Sequence, residues 1–279
     1  MRITTIGMIG ILTTLTLAVP VPGQAQGAFL GDLPWPDADR RLREAPLVVV
    51  PFGAGAKEHG PHLPLNSDAV VMEYLCRQAV DSTGAIVAPA ILHGWFPPFR
   101  GWPGTEVSDP EVFRRYVYEV ARSLVSQGAK RIVFLNTGIR TATGLPLAIA
   151  ARELRVETGT PTLVISWDDL ETDETEALTE QRAGGHADEI ETSIHLYLQP
   201  DLVHMERATP AFGTGRQAYP GYAPGVFSRN EKDPAFSTTG HFGDPTLATK
   251  EKGKEALRIM TAEWLKALRG FANSPLRSP

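Results

Sequence analysis

Ala45-Pro-Leu-Val-Val-Val-Pro-Phe52-Gly-Ala-Gly-Ala-Lys57-Glu58-His59-Gly-Pro-His62-Leu-Pro-Leu-Asn-Ser-Asp68 is the stretch from which the fold class follows. Its opening run, Ala45 to Phe52, has the length and β-branched content of a strand buried on both faces. The polar residues Glu58, His59, His62 and Asp68 begin where that run stops, and open α/β sheets bind their ligands at the ends of strands. Gly53, Gly55 and Gly60 allow the backbone to fold tightly enough for near neighbours to converge. Imidazole and carboxylate together suit zinc, manganese or iron, so the segment is a candidate metal site. The same residues also read as a solvated turn in which Asp68 caps the helix starting at Ala69.

Outward from this stretch the hydrophobic pattern alternates between strand and helix. A helix is expected over about 68–81, a strand at Ala85-Ile-Val-Ala-Pro-Ala, a helix over about 110–126 after Asp109, and a strand at Arg131-Ile-Val-Phe-Leu. A turn from Asn136 to Gly144, a helix to about Thr158 and a strand at Pro161-Thr-Leu-Val-Ile-Ser-Trp follow, then helices around Glu189–Tyr197 and Thr249–Leu268. Such alternation with short connections predicts a three-layer α/β/α fold with a mostly parallel central sheet. The irregular stretch from about Pro200 to Pro245 is too long for a simple connection and reads as a functional cover or a subunit contact.

With 279 residues, 42% of them hydrophobic, the chain can bury one large core. Arg2, an apolar run from Ile3 to Val19 and then Pro-Val-Pro-Gly-Gln-Ala make a signal peptide, residues 1–25, followed by a single domain over 26–279. The expected location is periplasmic or secreted, with no membrane contact after cleavage. Removing Arg2 leaves 26 basic against 32 acidic residues, a formal charge of −6, which gives no basis for binding nucleic acid. A lone cysteine, Cys76, excludes an internal disulfide and sits in a helical pattern as a small buried residue.

A second polar constellation is Gly184-Gly-His186-Ala-Asp-Glu189-Ile-Glu191-Thr-Ser. His186 and Glu191 meet only if the chain turns between them, which the double glycine permits; an ordinary capped helix with acidic residues in its first turn is the simpler reading of the segment by itself. Taken with His59-Gly-Pro-His-Leu-Pro-Leu and Asp68, Trp102-Pro-Gly-Thr, Asn136 followed by Ala151-Arg-Glu-Leu-Arg, and Gly240-His-Phe-Gly-Asp-Pro-Thr, it makes a series of motifs in order. In this the chain resembles the creatininase (creatinine amidohydrolase) family over nearly its whole mature length. The resemblance implies an α/β/α fold, often a hexamer, and metal-dependent hydrolysis of a C–N bond in a small cyclic or linear amide; the imidazole and carboxylate donors suit zinc, manganese or iron, as one or two divalent ions per subunit. It assigns His59 and Asp68 as ligands, with Asp68 as the usual bridge between two ions, and matches His186 and Glu191 to the catalytic histidine and the motif glutamate.

Two departures from the family pattern stand out. Lys57-Glu58-His59 replaces Glu-Gln-His after one extra residue, so the ligand glutamate is either replaced by Lys57 or recovered as Glu58, and Glu58 is the preferred reading. Gly138 stands where the family has a ligand histidine. His241 or His62 could fill that vacancy, or Arg140 and Lys57 could replace the charge of one ion. The expected site is therefore Glu58, His59, Asp68 and Glu191 as metal ligands, His186 and Arg140 as catalytic residues, and Trp102 and His241 at the substrate, with Trp95, Phe96 and Phe99 as pocket wall. His186 serves as general acid/base because imidazole titrates near neutrality. The competing readings are a catalytically inactive relative that binds a ligand or assembles with partners, and a metal-dependent lactone hydrolase.

Overall fold

The computed structural model describes residues 26–212, 228–232 and 236–276. The expected signal peptide lies outside the described residues, as does much of the 200–245 stretch. Five strands, β1 (Ala28–Phe29), β2 (Val48–Phe52), β3 (Ile86–Val87), β4 (Ile132–Asn136) and β5 (Thr162–Ser166), form one sheet in the order β1-β3-β2-β4-β5 with every pairing parallel. The helices are α1 (Trp35–Glu44), α2 (Ser67–Thr83), α3 (Pro110–Ser126), α4 (Leu145–Thr158), α5 (Asp173–Glu176), α6 (Glu189–Leu198) and α7 (Lys250–Ala272). The expected three-layer α/β/α architecture is the observed one.

The valine run explains the layering. Successive strand side chains point to opposite faces, and Val48, Val50 and Phe52 enter a core with Phe113 and Val117 of α3 and Leu147 and Leu154 of α4. Leu47 and Val49 enter the other core, with Val71 and Leu75 of α2, Ile194 of α6 and Met260 and Trp264 of α7. β4 repeats the division: Ile132 and Phe134 face the first core, Val133 and Leu135 the second. Trp264 is fully buried and its indole N–H donates to the Leu75 carbonyl at 2.9 Å, fastening α7 to α2. α6 and α7 approach to backbone contact at Gly253, where a Cβ would collide with the Ser193 backbone.

From β2 the chain passes to β3 on one side and then returns to β4 on the other. The crevice between the carboxyl ends of β2 and β4 is thus a topological switch point, the place where ligands bind in open α/β sheets. Phe52 pairs with Asn136 at the last register position, so the loops starting at Gly53 and Thr137 leave the sheet side by side. Thr137 ties them together, its hydroxyl donating to the Asp68 carbonyl at 2.7 Å.

Two elements escape the hydrophobic pattern. β1 has only two residues, and α1 buries a single side chain, Leu42, while Arg40 pairs with Asp37 and Glu44 on its exposed face. A helix with the sequence Trp-Pro-Asp-Ala-Asp-Arg-Arg-Leu-Arg-Glu, in which charged residues outnumber apolar ones, offers few apolar positions to read.

Candidate metal centre and cavity

Asp68 enters the site from the first turn of α2 and is 3% exposed. Its Oδ1 lies 2.9 Å from His59 Nε2, and its Oδ2 lies 2.8 Å from Lys57 Nζ. The other ring nitrogen of His59, Nδ1, is 2.8 Å from the Lys57 carbonyl. A carbonyl only accepts, so Nδ1 carries a proton and Nε2 is the nitrogen aimed at the carboxylates. Glu191 Oε1 also approaches that nitrogen, at 3.3 Å.

Glu191 reaches this point through the turn that the glycines allow. Gly185 has φ +146°, and Ala187 takes a left-handed φ of +46°, uncommon for a residue with a Cβ. The strained peptide aims the Ala187 N–H at Glu191 Oε2, 2.6 Å away. Asp188 caps α6, accepting from Ile190 and Glu191 N–H at 3.0 and 3.1 Å, which fixes the helix start. The site also benefits from the later Gly-His-Phe-Gly motif, because Phe242 and His186 exchange backbone hydrogen bonds.

The Nε2 lone pair faces two carboxylate oxygens, Asp68 Oδ1 and Glu191 Oε1, and acceptors facing one another repel unless a cation lies between them. Without a metal the cation is a proton. Burial and the Lys57 ammonium oppose protonation of His59, but Asp68 and Glu191 outweigh them and raise the imidazole to about 9. Burial likewise works against the Glu191 carboxylate, yet His59, His186 and Lys57 hold it well below the usual range. Donor atoms about 2.1 Å from one ion stand roughly 3.0–3.4 Å apart, and the two distances here, 2.9 and 3.3 Å, match that spacing. His59, His186 and Glu191 also offer ligand atoms within 4.8 Å of one another. The donor set therefore fits a divalent ion.

His186, 4% exposed, packs its ring 5.1 Å from that of His59 and 4.7 Å from that of Phe99. Its Nε2 lies 3.0 Å from the Glu58 carbonyl and 3.1 Å from Glu58 Oε2, so Nε2 is a donor. The structure places Glu58 against His186 and the Gly60 N–H, while Lys57 is the residue that meets Asp68. Gly240, at φ +77°, makes the seat for Glu58, because a Cβ there would collide with its carboxylate.

A cavity of about 290 Å³ opens onto the cluster, lined by Lys57, Asp68, Gly138, Arg140, Trp167, Glu171, His186 and Glu191 among others. Arg140 stands at this wall but is paired with Asp168 at 2.9 Å and Asp169 at 2.7 Å, with 44% of its side chain exposed. Trp102 and His241 are not among the lining residues. Trp102 packs against the first core with the Arg229 guanidinium 5.1 Å from its ring, and His241 Nε2 lies 2.7 Å from the Thr209 carbonyl, behind His62. Phe96 and Phe99 are buried beneath Lys57. Sequence reasoning passed over Trp167, which read as the last residue of a strand; it starts a short helical turn just after β5 and donates to Glu171 Oε1 at 2.7 Å. Burial pushes the Glu171 carboxyl upward.

The chain is similar to known proteins over most of its length. A creatinine amidohydrolase of Pseudomonas putida is 27% identical over 267 residues, 88% of this chain and 97% of its own. A mycofactocin precursor peptide peptidase of Mycolicibacterium smegmatis is 30% identical over 227 residues, 77% of this chain and 81% of its own. A solved structure described as "Creatininase Mn" superposes with a TM-score of 0.75 at 25% identity, covering 89% of this chain and all of that one. Since the family model for creatinine amidohydrolase also matches residues 31–268, the chain belongs to the creatininase family and is a metal-dependent hydrolase of amide C–N bonds.

Proposed function

We propose that the protein hydrolyses a C–N bond in a small cyclic or linear amide held in the cavity between the ends of β2 and β4. The observation that carries this reading is the meeting of His59 Nε2 with Asp68 Oδ1 and Glu191 Oε1 beside a cavity that Asp68, His186 and Glu191 line. Zinc or manganese held there would supply the charge that acidifies water and polarises an amide carbonyl. His59 would hold it from the β2 loop, Asp68 from the first turn of α2 and Glu191 from α6.

His186 moves the proton. Its Nδ1 takes the proton of the attacking water and returns it to the departing nitrogen, while Glu58, on Nε2, holds the ring in that tautomer and stabilises the imidazolium between the two steps. The cavity is about the size of a small-molecule site, and Trp167 supplies one flat apolar wall. Arg140, tied to two aspartates at the mouth, acts on a substrate carboxylate or oxyanion only by exchanging one of those partners. This assigns it to substrate entry more than to the chemical step.

The chain is also read as exported and self-associating. Val112 and Tyr116 on α3 and Leu145 and Ile149 on α4, each pair one turn apart, are 64%, 57%, 54% and 43% exposed, which supports burial against a second copy.

The test is a panel of small cyclic and linear amides in ¹⁸O-water. Cleavage that places solvent oxygen in the acid product, stops in chelator and returns with zinc or manganese is the expected result. Turnover indifferent to chelation would refute the assignment, and cleavage confined to lactones would favour ester over amide chemistry.

A further inference from the structure

Lys57 carries a charge that the chemistry above does not use. Its side chain is 3% exposed and lies over the rings of Phe96 and Phe99, with Nζ 6.0 and 5.6 Å from their centroids. Its backbone is fixed on both sides: Lys57 N–H donates to the Leu65 carbonyl at 2.9 Å, and its carbonyl accepts from His59. An ammonium pinned this way has one strong partner facing the cavity, Asp68 Oδ2 at 2.8 Å.

Asp68 therefore joins two cation positions. On Oδ1 is the point shared with His59 and Glu191, which takes a proton or an ion; on Oδ2 is a cation already attached to the chain. A divalent ion on Oδ2 would displace Nζ and leave a buried ammonium without its counter-charge, which is strongly unfavourable. No side chain of Gly138 reaches across the cavity to help bind it. The other candidates for rebuilding a second site stand away from Oδ2: Arg140 pairs with Asp168 and Asp169, and His62 and His241, whose Nε2 atoms meet Thr192 and the Thr209 carbonyl, do not line the cavity.

We propose that the Lys57 ammonium takes the place of a second divalent ion, so that the chain binds one ion and draws its second positive charge from its own sequence. The inference rests on the metal reading above. Lys57 is a positioning residue: it occupies Oδ2 against a second ion, and it keeps a fixed positive charge on the wall of the cavity where an amide carbonyl would gain negative charge.

The experiment is equilibrium dialysis of the full-length protein against manganese or zinc, followed by elemental analysis, on the wild type, Lys57→Gln and Lys57→Glu. The wild type is expected to hold one ion per chain. Lys57→Gln is expected to hold one ion at least tenfold more tightly, because the repelling charge and the competitor for Asp68 are gone. A lysine that merely braces the loop predicts the reverse, weaker binding. Lys57→Glu is expected to admit a second ion at saturating metal. Two ions on the wild type, weaker binding in Lys57→Gln, or a single ion in a folded Lys57→Glu would each overturn the proposal while leaving the metal reading intact. No ion on any of the three would overturn the metal reading, and the proposal with it.

Discussion

At the scale of single residues, function turns on which of two neighbours, Lys57 or Glu58, faces Asp68. Their order in the sequence cannot decide this, because one residue of bulge exchanges the two, and the deciding contact is with Gly240, far along the chain. The contact of His59 with Asp68 was legible because the two share one segment after a strand; that of Glu191 with His59 depends on a turn that a strained Ala187 completes. The Lys57–Asp68 pair is buried on both sides, so removing one partner strands the other. Asp68→Asn should lower the stability of metal-free protein by about 3–5 kcal/mol and abolish ion binding. The double replacement Lys57→Met/Asp68→Leu should recover most of the stability but none of the binding, as read by urea unfolding and metal titration. A double variant no more stable than the single would show that the ion pair is not what Asp68→Asn disrupts. His186→Ala should keep the ion and lose turnover by at least a hundredfold; loss of the ion would instead make His186 a ligand.

At the scale of elements, α6 carries Glu191 and is held by α7 through backbone contact at Gly253. Alanine is worth about 1 kcal/mol over glycine inside an ordinary helix, yet Gly253→Ala should destabilise by about 1–3 kcal/mol because its methyl group meets the Ser193 backbone. A gain in melting temperature would contradict the packing described. His195, also on α6, is fully buried, and desolvation lowers it from 6.5 to about 4. The unfolded chain thus binds a proton below pH 6.5 that the folded chain refuses. Stability should fall as pH drops from 6.5 towards 4, by about 3 kcal/mol from this group. His195→Leu should lessen that slope in acid unfolding curves, and an unchanged slope would remove His195 as its source. The long strands and amphipathic helices could be read in the sequence because each has a face to bury. α1, in which charged residues outnumber apolar ones, and β1, two residues long, offered too few apolar positions to read.

At the scale of the whole molecule, the switch point between β2 and β4 gathers loops from four parts of the chain into one cavity. The alternation of strands and helices was enough to predict that cavity's place but not its walls. Trp102 and His241, read as substrate contacts, stand outside its lining, and Trp167, read as strand, stands within it. The exposed apolar pairs of α3 and α4 predict self-association. Sedimentation should show a particle larger than the 30.3 kDa chain, and Tyr116→Glu/Ile149→Glu should dissociate it; a wild-type monomer at micromolar concentration would contradict this. The central claim, that a divalent ion sits among His59, Asp68 and Glu191, is most directly tested by anomalous diffraction from crystals soaked in manganese. The account predicts a peak within bonding distance of His59 Nε2, Asp68 Oδ1 and Glu191 Oε1. An empty cluster under saturating manganese, or a peak bound elsewhere, would contradict it.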